Sequence, residues 1–372
     1  MNWRDGAGRV LAAATLVLVA CGDSPTDAPA QGLRLAEVLG GTAAEGFRVA
    51  DRVVPFSFPA DHGPHPRFRS EWWYLTVALR SAAGEEFGVQ FTLFRQALRA
   101  GPVADDGDGW RSGQVFLGHL ALTDVTREKH IEAERLARGH PRLAGVRAAP
   151  FAAWIEGWRL ASAQKSFLPL RLTAAEDEFA VDLTLEGNRP PSPQGDRGLS
   201  AKGPDNASYY YSIPRLRASG TVRTSKGTVS VAGHGWLDRE WSTSVLADEY
   251  AGWDWFALHL DDGRDLMVFQ LRRRDGHADD YDQGLLVDTN GSRHLDADDF
   301  DLIPQREWRD RRNVRWPLRW RLRVHGDTLI VEAAIDDQVM DTSIRYWEGL
   351  VHVQTPAGRR VGSGYMELTG YR

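Results

Sequence analysis

The sequence predicts an all-β protein built from a duplicated unit, and three observations carry that expectation. After residue 50 it runs as short alternating strands broken by Gly, Pro, Asn and Asp, with few helix-forming stretches. Two segments of the first half recur in the second. The aromatic load is high, with 14 Trp, 9 Tyr and 14 Phe, residues that suit pleated, half-buried surfaces and line apolar pockets.

Residues 1–21 stand apart from the folded body. Arg4 and Arg9 make a basic start, offset by Asp5. Val10 to Ala20 is then an apolar run of eleven residues, too short for the ~20 that a spanning helix needs. It ends in Leu18-Val19-Ala20-Cys21, which resembles a bacterial lipoprotein cleavage box, with Cys21 as the acylated residue. The one cysteine of the chain stands at this point. Several acyl chains anchor stably where one does not, and Gly22 after the cysteine fits an outer-membrane destination facing the periplasm. Residues 22–45, rich in Pro, Ala, Gly and Asp, read as a tether, with a short helical pattern at Leu33 to Leu39.

The body begins near residue 46. Trp72 to Leu79, a turn at Ser81-Ala82-Ala83-Gly84, and Phe87 to Phe94 predict a hairpin. Trp253 to Leu260, a turn at Asp261-Asp262-Gly263, and Leu266 to Leu271 predict a second. Trp73-Tyr74 aligns with Trp255-Phe256, Val89-Gln90-Phe91 with Phe269-Gln270-Leu271, and Arg95 with Arg272. The halves also close alike: Gly233-His234-Gly235-Trp236-Leu237-Asp238 matches Gly362-Ser363-Gly364-Tyr365-Met366-Glu367. Glycine inside a strand marks a bulge, a corner or a close backbone approach. The expected domains are therefore 46–242 and 243–372, as tandem barrels or sandwiches, since a period above 100 residues is too long for a solenoid or propeller blade. The first is longer because it carries the Arg135–Pro150 region and a Pro-rich stretch, Gly187–Asn206, expected as an exposed loop or lid.

Composition excludes several functions. With 45 Lys+Arg against 51 Asp+Glu, the net charge of -6 offers no basic surface for a phosphate backbone, so no nucleic acid is expected. One Cys excludes a disulfide scaffold and a Cys-based zinc site. Asp61, His62 and His65 have a conceivable ligand spacing, but Gly63-Pro64 turns between them and only His119 and His234 remain as distant candidates, so no metal and no cofactor is expected. Gly233-x-Gly235 lacks the third glycine and following helix of a phosphate-binding loop.

Six clusters carry a family resemblance: Asp61-His62-Gly63-Pro64-His65, Ser70-Glu71-Trp72-Trp73-Tyr74, Tyr210-Tyr211-Ser212-Ile213-Pro214-Arg215, Gly235-Trp236-Leu237-Asp238-Arg239-Glu240-Trp241-Ser242, Gly252-Trp253-Asp254-Trp255-Phe256 and Arg345-Tyr346-Trp347-Glu348-Gly349. Together they resemble the AttH-like proteins of the carotenoid 1,2-hydratase (hydroxyneurosporene synthase) superfamily, over nearly all of the chain after the tether. The resemblance implies two lipocalin-like β-barrel domains with a pocket at or near their junction. It implies less about activity, because the superfamily spans polyene hydratases, pericyclase-type lipocalins and members without an assigned reaction, and a shared fold does not choose among them.

The candidate catalytic residues are Asp238, Glu240 and His234. A hydratase of an unactivated alkene needs a desolvated carboxylic acid to protonate carbon, and aromatic faces to stabilise the cation. Asp238-Arg239-Glu240 can equally be an ion-pair network that locks the domain junction. In a strand His234, Trp236 and Asp238 share one face, but periodicity leaves open whether that face is a barrel interior. Candidate ligand contacts are Glu71, Trp73, Tyr74, Trp236, Trp241, Trp253, Asp254 and Trp255, with Glu71 also readable as a buried partner of an arginine. Three functions stay open: a lipid-anchored binder of an apolar or amphipathic molecule at the junction, a hydratase- or cyclase-like enzyme, and an accessory subunit handing cargo to a membrane transporter.

Overall fold

The computed structural model describes residues 45–101, 112–243, 246–277 and 279–372. Cys21, the leader and nearly all of the tether lie outside the described residues. Among the described residues every regular element is a strand except three 3₁₀ turns.

The first half forms one antiparallel sheet. Its early strands are β1 (Ser70–Ser81), β2 (Glu86–Ala97), β3 (Gln114–Asp124) and β4 (Lys129–Arg138). Then come β5 (Ala144–Ala148), β6 (Phe151–Ile155), β7 (Trp158–Ser162), β8 (Leu170–Ala175) and β9 (Ala180–Glu186). It closes with the two short strands β10 (Ser192–Pro193) and β11 (Leu199–Ala201), then the long β12 (Ala207–Thr224) and β13 (Gly227–Ser242). The order is β4-β3-β2-β1-β13-β12-β9-β8-β7-β6-β5, with β10 and β11 on β12.

The second half repeats this with β14 (Tyr250–Leu260), β15 (Asp265–Arg273), β16 (Gln283–Asp288), β17 (Gly291–Asp296) and β18 (Phe300–Arg309). It continues with β19 (Arg315–Val324), β20 (Asp327–Ala333), β21 (Val339–Asp341), β22 (Arg345–Gln354) and β23 (Arg360–Leu368). The order β17-β16-β15-β14-β23-β22-β20-β19-β18, with β21 on β22, reproduces the first sheet strand for strand; the first adds β5 and β6 at its end. β6 and the start of β7 curl back so that Ile155 and Trp158 meet Gly118 on β3, nearly closing the barrel.

Each barrel is filled. Trp73, Leu75, Val77, Phe91, Trp158 and Leu237 belong to one apolar core, and Phe256, Trp316, Trp320, Trp347 and Met366 to another. A third apolar cluster, with Tyr74, Tyr210 and Trp236 from one half and Trp255, Phe269 and Tyr365 from the other, joins the outer faces of the two barrels. The glycine corners are close approaches. A Cβ on Gly233 would stand 1.9 Å from the Ala78 carbonyl, and one on Gly364 2.1 Å from that of Ala257.

Register corrects two alignments. Tyr74 faces Asp238 across β1 and β13, and Trp255 faces Glu367 across β14 and β23. Trp255 is therefore the counterpart of Tyr74, and Trp253 of Trp72. Val89, opposite Val77, has its counterpart in Leu266, opposite Leu258, so the expected match of Val89-Gln90-Phe91 with Phe269-Gln270-Leu271 is three residues out. The expected match of Trp73-Tyr74 with Trp255-Phe256 is one residue out. In a period-two element that slip moves every side chain to the opposite face. The Pro-rich stretch is also more than an exposed loop: Ser192 and Gln194 are buried, and Gln194 donates to Ser212 (2.7 Å). Proline confines it to short edge pairing on β12.

Candidate functional site

Alternation on β1 and β13 separates the candidates into two groups. One face carries Glu71, Trp73, Arg239 and Trp241; the other carries Trp72, Tyr74, Trp236, Asp238 and Glu240. The first group points into the barrel. Glu71 is fully buried between Arg95 and Arg239, and these cations hold its carboxyl far below the usual range despite burial. Arg239 stacks over Trp73 at 3.9 Å, and His65 lies on Trp241 at 3.7 Å while bonding Asp61 and Glu71. In the second barrel Asp254 does the same work with Arg272 (3.1 Å), Gln270 (2.8 Å) and Tyr371 (2.9 Å). Glu71, Trp73, Trp241 and Asp254, expected as ligand contacts, are thus internal braces. Asp61 and His65 are engaged in the same bracing.

The second group faces a cavity between the barrels of about 120 Å³, lined by Trp72, Tyr74, Phe94, Tyr210 and Asp238 from one side and Trp253, Trp255, Phe269, Tyr346 and Glu367 from the other. That is room for several waters or a small organic group, a water needing roughly 10–15 Å³ on this measure. Lys202 and Asn206, from the Pro-rich stretch, stand at its rim. Lys202 is ion-paired with Glu240 and sits 5.6 Å from the Trp72 ring. Trp236 lies beneath the wall, with its indole N–H donating to Asp238 (2.7 Å). His234 shares the face of Trp236 and Asp238 but is too far along β13. It lines a separate polar opening with Arg80, Glu86 and Arg360, 5.9 Å from the His259 ring.

Asp238 is 2 % exposed and accepts from Tyr210 (2.6 Å), Ser212 and Trp236, all neutral donors. Burial dominates these bonds, Glu240 adds repulsion, and the carboxyl is pushed up to about 7. Glu367, its counterpart in the repeat, accepts from the Trp253 indole (2.7 Å). Burial, helped by Asp238 and Glu240, also lifts it to about 7. Opposite Asp238 on β12 is Ser212, whereas opposite Glu367 on β22 is a third acid, Glu348. Burial and Glu367 drive Glu348 well above the carboxylate range. An aromatic cavity thus holds two carboxyls that can each give or take a proton near neutrality.

Trp72, Tyr210, Tyr346, Glu348 and Glu367 were not among the expected site residues. Each stands within a cluster singled out above, and alternation from Asp238 and its repeat partner reaches all of them; what was missing was the register.

Two filled β-barrels with a shared interfacial pocket define a two-domain lipocalin-like protein. A model of the AttH-like family matches residues 49–371, and the chain belongs to that family. It is similar to an AttH protein of Nitrosomonas europaea at 31% identity, covering 88% of this chain and 100% of that one, with a TM-score of 0.78. It shares its fold with kievitone hydratase of Nectria haematococca at 14% identity, covering 87% of this chain and 98% of that one, with a TM-score of 0.64. No curated protein matches the sequence.

Proposed function

We propose that the protein is an acid–base catalyst of the hydro-lyase type, acting on an apolar, unsaturated small molecule of isoprenoid or polyene character bound between the barrels. The observation that carries this reading is Asp238, a buried acid poised near neutrality on an aromatic cavity wall. Protonated Asp238 gives its proton to an alkene carbon and becomes the carboxylate. Water adds to the resulting cation, and its released proton goes to ionised Glu367. The indole and phenol faces of Trp72, Trp253 and Tyr210 stabilise the transient cation. One acid protonated and one ionised is the state that mutual repulsion favours in a shared site. The hydratase name of the fungal structure with the same fold agrees with this chemistry.

The lipoprotein box at Cys21 adds a location to the proposal: the outer membrane, facing the periplasm, with a membrane-derived apolar substrate. The test is incubation of a prenyl-alcohol and polyene panel in ¹⁸O-water, with mass spectrometry of the products. Wild type should add one labelled oxygen and Asp238→Asn should not. Saturable binding without labelled product from any member would refute catalysis and leave a binding protein.

A further inference from the structure

The pocket reading leaves one buried chain of groups unused. Tyr346, on the cavity wall, bonds through its hydroxyl to Nδ1 of His119 at 2.7 Å. Nε2 of the same ring lies 3.0 Å from Glu134 on β4, whose carboxyl also accepts from the backbone and the hydroxyl of Ser343. His119 is fully buried, and the Glu134 side chain is a quarter exposed. At the inner end the Glu348 carboxyl, 1 % exposed, faces the hydroxyls of Tyr74 and Tyr346. Neither of its oxygens, nor the Tyr74 hydroxyl, closes a hydrogen bond at bonding geometry. A buried carboxyl held between two hydroxyls without closing a bond to either is placed to pass a proton rather than to brace the fold.

Among the described residues, the first half of the duplication has no such device. Ser212 stands where Glu348 stands, bonded to Asp238, and the hydroxyl of Tyr210, the counterpart of Tyr346, donates its hydrogen bond to Asp238. The contacts run outward from Tyr346 of the second half through His119 and Glu134, on β3 and β4 of the first.

We propose that Glu348, Tyr346, His119 and Glu134 form a proton path connecting the Glu348–Glu367 carboxyl pair with solvent. The proposal rests on the reading of the pocket acids as catalytic and supplies the exchange that keeps the Glu348–Glu367 pair in equilibrium with solvent. Ionised Glu134 only accepts, so Nε2 of His119 carries the ring proton and Nδ1 accepts from Tyr346. Burial lowers the basicity of His119 and keeps the ring neutral at rest. In the outward direction the Glu348 proton passes to the Tyr346 oxygen as the tyrosine proton passes to Nδ1. The Nε2 proton then passes to Glu134, which releases it to water. Tyr346 ends with a hydroxyl, His119 as the other neutral tautomer, and Glu348 as the carboxylate. Running the same steps backwards returns a proton and the original tautomer. Over one passage out and one back, the path exchanges protons between the carboxyl pair and solvent with no net transfer, which is the exchange that deuterium reads.

The test needs no substrate. The carboxylic acid stretch is followed by time-resolved infrared spectroscopy after rapid transfer of the full-length protein from H₂O to D₂O, with Glu348→Gln and Asp238→Asn assigning the bands. Tyr346→Phe keeps the ring and removes the hydroxyl. It should slow deuterium exchange of the Glu348–Glu367 band at least tenfold while the Asp238 band keeps its rate within twofold. Glu134→Gln, at the partly exposed end, should slow the same band selectively. An unchanged rate in folded Tyr346→Phe overturns the path, as does equal slowing of both bands. If Tyr346→Phe does not fold, an unchanged rate in Glu134→Gln overturns it alone. Because exchange is read without turnover, its failure leaves the catalytic reading standing, and failed turnover leaves the exchange result standing.

Discussion

Replacing Asp238 by Asn should stabilise the protein at alkaline pH while abolishing its acid chemistry. A carboxyl that ionises at 3.8 in the open chain and at about 7 when folded binds its proton more tightly in the native state. Its contribution to stability is fully present below the unfolded value, falls as pH rises from ~4 to ~7, and is flat above. The loss across that window is on the order of 4 kcal/mol. Asn cannot ionise and escapes it. The substitution has a cost, since Tyr210 donates to Asp238 and the amide nitrogen cannot accept; one lost hydrogen bond is about 1 kcal/mol. The variant should therefore gain about 3 kcal/mol over wild type at pH 9, lose slightly at pH 4, and cross over between. Urea melts of the body at pH 4, 5, 6, 7 and 9 read this directly. A stability difference independent of pH would show that Asp238 is not a displaced acid and would remove the basis of the catalytic reading.

Three further substitutions separate pocket from brace. Trp253→Ala should weaken binding of an apolar fluorescent probe, whereas Trp73→Ala, inside the first barrel, should cost about 3–5 kcal/mol of stability in denaturant melts with less effect on probe affinity in the folded fraction. Glu71→Gln leaves Arg95 and Arg239 buried without their carboxylate and should destabilise by roughly 3–5 kcal/mol, seen as a lower urea midpoint across neutral pH. Gly364→Ala forces a Cβ to 2.1 Å from the Ala257 carbonyl and should lower the melting temperature by circular dichroism, while Gly358→Ala, an open turn position at φ 84°, should cost only its backbone strain of about 1–2 kcal/mol. Cys21→Ser should abolish fatty-acid labelling and membrane partitioning; a wild type that is itself unlabelled and aqueous would refute the anchor.

Much of the architecture was legible because it is written in local terms. Strand alternation, turn glycines and the recurring Gly-x-Gly-aromatic-x-acid segment depend only on neighbours along the chain, and they yield an all-β body with two equivalent halves. Asp238 and its repeat partner Glu367 were visible in that segment, and so was the shared face of His234, Trp236 and Asp238. The direction of that face was not. Two barrels of the same pattern can put either face inward, and the packing of Trp73, Leu237 and Trp158 on one side decided that Asp238 looks outward to the second barrel. That choice moved Glu71, Trp73, Trp241 and Asp254 from the pocket to the braces. It also brought Tyr346, Glu348 and His119, more than 200 residues apart in part, into one chain of contacts. The proton affinity of Asp238 is likewise a tertiary property, because it comes chiefly from burial in the folded protein, with a smaller push from Glu240.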